Sequence, residues 1–128
     1  MTTAIICTAM LGLLLFTLGF AVSLTRGATK INIGLPDDPG HKLHRLGRAH
    51  GNAAEYVAIL SVLMLFIGSR EPAAWMLWTM WIVIAARYVH ALGMLMAPLD
   101  QSQPLRFAGS VFTYLGGTVL CVAALMTL

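Results

Sequence analysis

The first 25 residues, Met1 to Thr25, contain no charged side chain. No other feature constrains the fold of this chain as strongly. At about 1.5 Å of rise per residue, an apolar run of about 20 residues crosses a hydrocarbon core of about 30 Å as an α-helix. Three further apolar stretches follow, and the predicted helices cover about residues 4–25, 47–69, 72–96 and 105–127. Gly27, Pro36, Pro39 and Gly40 punctuate the first connection, Arg70, Glu71 and Pro72 the second, and Pro98 and Pro104 the third. Composition agrees: 59% of the 128 residues are hydrophobic and only 10% charged, against roughly 25% charged in a soluble domain. A chain of this size has no polar skin with which to face water. A soluble enzyme, a disordered tail and a basic nucleic-acid binder are excluded, and no nucleic-acid partner is expected. The predicted fold is all-α, a single four-helix transmembrane bundle over residues 1–128.

Helix one also carries Ala21-Val22-Ser23, the small-x-small spacing of a signal-peptide cleavage site. No basic residue precedes the apolar run, which is longer than the ~7 to 15 residues of a signal core. A retained helix is therefore expected. Arg26, Lys30, Lys42, Arg45, Arg48 and Arg106 fall on one side of the four spans and Arg70 alone on the other. The positive-inside rule then puts both termini outside and the 26–47 and 97–106 connections in the cytoplasm. Cys7 and Cys121 read as small apolar fillers, although one bond between them is geometrically open.

The informative residues break the apolar pattern. In His44-Arg45-Leu46-Gly47-Arg48-Ala49-His50-Gly51-Asn52-Ala53-Ala54-Glu55-Tyr56, Arg45, Arg48, Asn52 and Glu55 fall within an arc of about 80° on a helix, with His50 on the opposite flank. A carboxylate at the centre of a membrane helix costs about 2.5–3.5 kcal/mol on insertion scales, so Glu55 needs a partner or an aqueous cavity. Two readings are open: interhelical glue or a ligand site. Arg87, well inside the third span, needs an anion too, and a Glu55–Arg87 ion pair would satisfy both as a structural element. Arg26, Arg45, Arg48 and Arg106 would then form a basic rim at the cytoplasmic mouth. Arg106, opening helix four, either anchors the helix at the interface or, with the helix N-terminus, favours a thiolate over a thiol. His41, His44, His90 and Glu55 make a weak metal motif, and no metal is expected. There is no nucleophile triad, phosphate loop or dinucleotide fingerprint.

Arg48-Ala49-His50-Gly51-Asn52-Ala53-Ala54-Glu55-Tyr56, with Ala86-Arg87-Tyr88-Val89-His90 in the third span, resembles the family of membrane-associated proteins in eicosanoid and glutathione metabolism (MAPEG), above all its small bacterial inner-membrane members. The resemblance covers essentially the whole chain. It implies a homotrimer with glutathione as co-substrate, bound between subunits near the cytoplasmic face, and a hydrophobic small-molecule second substrate reached from membrane lipid. Arg48, Asn52, Glu55 and Tyr56 match positions that hold glutathione, and His50 stands where some relatives place a glutamine that contacts it. Arg106 resembles the arginine that activates the thiol, and Arg26 is similar to a basic residue ending helix one. His90 and Met94 stand where well-studied members have tyrosines, with Tyr88 displaced from the usual place. The resemblance thus implies a glutathione-dependent transferase or peroxidase. The alternatives are a non-catalytic membrane module whose polar stripe serves trimer assembly, or a small transport subunit using Glu55.

Overall fold

A computed structural model describes all residues 1–128. The chain forms four helices: α1 (Thr2–Thr29), α2 (Lys42–Gly68), α3 (Ala74–Met96) and α4 (Pro104–Met126). Each is long and apolar enough to cross a membrane. The termini lie at opposite ends of their helices from the basic connections, as four antiparallel spans require. α1 pairs chiefly with α2 and α3 with α4, while α2 and α3 join the two pairs; α1 and α4 are not neighbours in the bundle. Helix α1 runs unbroken through Ala21-Val22-Ser23, and it buries Cys7, Leu11, Leu14 and Leu18. It is an integral stave of the bundle.

The core has two parts. Toward the termini, Cys7, Leu11, Leu60, Met64, Met80 and Leu120 pack together, and nearer the basic end Leu14, Leu18, Ala49, Ala53, Ala91 and Met94 do so. Cys7 is buried and Cys121 exposed on α4, both as free thiols. Many large apolar side chains, Phe16, Phe20 and Trp78 among them, point outward. In lipid such residues carry no desolvation penalty, so exposure is the stable state for them.

Local chemistry sets the helix ends. α2 starts about five residues earlier than its apolar run, because His41 caps it: the ring Nδ1 accepts the Leu43 N–H at 3.1 Å. His44 is therefore helical, with Nδ1 on the Pro36 carbonyl. Gln103 caps α4, its Oε1 accepting the Arg106 N–H at 3.1 Å, and Pro104 opens the helix where no N–H is needed. Leu99 N–H donates to the Pro39 carbonyl at 3.3 Å, which ties the two long connections together beneath the bundle.

Candidate functional site

The polar residues of α2 divide between two faces. Asn52 and Tyr56, one turn apart, look toward α3, where Arg87 is 1% exposed. The Arg87 Nη2 donates to Asn52 Oδ1 at 2.7 Å and lies 3.3 Å from the Asn52 carbonyl. Its guanidinium carbon stands 4.8 Å from the Tyr56 ring centroid, a cation–π contact. Tyr56 in turn lies 6.1 Å, centroid to centroid, from Tyr114 of α4. The buried Arg87 Nε has no hydrogen-bond partner.

The expected Glu55–Arg87 ion pair does not form. Glu55 lies about 60° around the helix from Asn52, since residues three apart differ by that angle at 3.6 per turn. That rotation turns it onto the exposed face of α2 with Arg48, Gly51, Ala58 and Ile59. Arg87 is satisfied by an amide oxygen and an aromatic face instead of a carboxylate. Arg48 and Glu55, seven residues apart and so on one line, are left with no partner in the chain. Arg45 parts from them: its Nη1 donates to the Leu95 carbonyl at 2.7 Å, satisfying an orphan carbonyl at the C-terminal end of α3.

The other residues are held by their own surroundings. His50 is half-buried against α1, where a Cβ on Gly19 would stand 3.1 Å from its Nε2. Arg26 bends over the end of α1, donating to the Ile31 carbonyl at 3.0 Å. Arg106, in the first turn of α4, donates from Nη2 to the Gln101 carbonyl at 2.6 Å. The structure therefore brings Asn52 and Tyr56 together with Arg87, sets Arg48 and Glu55 two turns apart on one open face, and keeps Arg26, His50 and Arg106 on separate supports. One member of the constellation, Tyr114, went unread in the sequence; it completes the aromatic pair. Tyr88, displaced from the family's usual place, ties α3 to α1 by donating to the Met10 carbonyl at 2.9 Å. A phenol within an apolar span needs an acceptor, which was the available signal.

Beside this cluster, a groove of about 250 Å³ runs between α2 and α4, lined by Tyr56, Leu63, Tyr114, Gly117 and Cys121. With Arg48 and Glu55 on the adjoining face of α2, the chain presents one charged and aromatic side outward from within its spans. A model of the MAPEG family matches residues 4–126, nearly the whole chain. The chain belongs to the MAPEG family. Its members are membrane proteins of glutathione-related transferase and peroxidase type, and this MAPEG chain is accordingly an integral membrane protein. No curated protein and no solved structure matches it. Against the MAPEG pattern, the α2 residues Arg48, Asn52, Glu55 and Tyr56 stay on contiguous faces, while His90 is buried at the α3–α4 seam and Met94 in the core shared with α1 and α2.

Proposed function

We propose that this MAPEG chain is the subunit of a homotrimeric, glutathione-dependent transferase or peroxidase of the bacterial inner membrane, with its basic end in the cytoplasm. The observation that carries the reading is the pair Arg48 and Glu55, exposed on α2 beside Asn52 and Tyr56 with no partner in their own chain. An outward carboxylate at that depth is costly in lipid, and a neighbouring subunit with a bound ligand removes the cost. Glutathione carries two carboxylates, an ammonium and a thiol. Arg48 matches a carboxylate by bidentate hydrogen bonding, and Glu55 matches the ammonium. Arg26, at the end of α1, and His50, on the α1-facing flank of α2, join the site from the neighbouring subunit.

Arg106 acts on the sulfur. A guanidinium at a helix N-terminus favours the thiolate, so the thiol proton passes to solvent and the sulfur is left nucleophilic. In the transferase reaction the thiolate forms a carbon–sulfur bond to a hydrophobic electrophile, and either the leaving group departs or the electron pair is protonated. In the peroxidase reaction it attacks the distal oxygen of a lipid hydroperoxide, the O–O bond breaks, the lipid alkoxide leaves and takes a proton to become the alcohol, and a second glutathione converts the sulfenic product to the disulfide with release of water. Proximity within the membrane supplies the rest of the rate enhancement. To do this the Arg106 side chain leaves the Gln101 carbonyl, a rotation about its own torsions.

Titration calorimetry of the purified protein with glutathione tests the reading beside Arg48→Ala. Binding that weakens at least tenfold in the variant is expected, as for loss of a charge-assisted pair of about 1.5–3 kcal/mol. A thiolate absorbance of bound glutathione that vanishes in Arg106→Ala completes the case. No heat at millimolar glutathione ends it. One observation favours a second reading, a non-catalytic trimeric module: the Arg106 guanidinium is already engaged by its own connection. On that reading Glu55→Gln disperses the oligomer and no thiol ligand is found.

A further inference from the structure

The α3–α4 seam holds a buried imidazole that the glutathione chemistry above does not use. His90 is 7% exposed, and its Nδ1 lies 2.9 Å from the backbone carbonyl oxygen of Arg106 and 3.1 Å from Ser110 Oγ. A carbonyl oxygen only accepts, so Nδ1 carries the proton, and Ser110 Oγ is then a second acceptor of the same N–H. This bond runs from the middle of one helix to the first turn of the next.

Two glycines make it possible. A Cβ on Gly93 would collide with the Arg106 backbone N–H and lie 2.8 Å from the Arg106 Cα. A Cβ on Gly109 would lie 2.6 Å from the His90 backbone nitrogen. Both distances are shorter than any real Cβ contact, so the two backbones approach as closely as they do only because these positions lack side chains. Arg106 thereby rests on Gly93, is held at its carbonyl by His90, and is capped at its own N–H by Gln103 Oε1 at 3.1 Å. Three independent contacts fix its main chain. Its side chain has a single partner, the Gln101 carbonyl.

We infer that His90 is a positioning residue: through its Nδ1–H it fixes the first turn of α4, and so sets the point from which the Arg106 guanidinium reaches the reacting sulfur. The helix interior does not need this bond for its own stability, because the Arg106 carbonyl also lies within the regular ladder of α4. What the bond adds is the placement of that turn against α3. The inference rests on the role proposed for Arg106, and its test separates the two.

The full-length protein in detergent is compared with His90→Ala, His90→Asn and His90→Gln. The Asn amide nitrogen falls near the place of Nδ1 and can donate to the same carbonyl, whereas Gln carries its amide a methylene too far. Hydrogen exchange of the amides from Arg106 to Ser110 reads the placement of the turn. Exchange about tenfold faster in His90→Ala and His90→Gln, restored in His90→Asn, is expected for loss and recovery of one buried bond. In the same samples the thiolate absorbance of bound glutathione falls about fivefold in His90→Ala and recovers in His90→Asn. Exchange unchanged in His90→Ala, or no recovery in His90→Asn, overturns the inference. Exchange that follows the expected series in a protein showing no thiolate absorbance upholds the positioning of the turn and removes the glutathione reading alone.

Discussion

The α3–α4 seam and the outer face of α2 treat polar groups in opposite ways. At the seam, His90, Ser110, Gln103 and the Arg106 backbone satisfy one another, and glycines bring the helices close enough for them to do so. On α2, Arg48 and Glu55 point away from the bundle with nothing in the chain to meet them. In a bilayer the first arrangement is self-sufficient and the second is not. The seam holds a geometry within the chain, and in the function proposed above the open α2 face receives the ligand and the neighbouring subunit. Between them, Arg87 is buried and supported by Asn52 and Tyr56, so it braces the side of α2 next to the open one.

The contrast can be broken from either side. The largest effect is expected at the seam: Gly109→Val drives a branched side chain into the His90 backbone, and thermal unfolding in detergent should show a loss of about 3 kcal/mol, at the upper end for overpacking. Asn52→Ala comes next. It strands the buried Arg87 guanidinium, already lacking a partner at Nε, and the loss should be about 2 kcal/mol in the same assay. Glu55→Gln should be the mildest for the subunit itself, within about 0.5 kcal/mol, because its side chain is exposed and makes no hydrogen bond or ion pair in its own chain. In the proposed homotrimer its effect falls on the assembly, and sedimentation in detergent should show it there. A large loss of subunit stability in Glu55→Gln would erase the distinction between the two regions.

The amino-acid sequence alone determined the four spans, the crowding of basic residues at one end, and the presence in α2 and α3 of charges that lipid will not tolerate unaided. These follow from hydropathy and helical period, which are local properties of the chain. It also carried the family, since Arg48, Asn52, Glu55 and Tyr56 are legible as a spaced motif. What only the tertiary structure decided was which of those charges meet. Arg87 was read as the partner of Glu55, and it took Asn52 and Tyr56 because the rotation of α2 against α3 points those two inward and Glu55 outward. His90, read as a departure from the family pattern, proved to grip the turn that bears Arg106, since Gly93 and Gly109 let two backbones meet. Helical period fixes the angle between residues on one helix; the angle between helices comes from packing, and no single segment contains it.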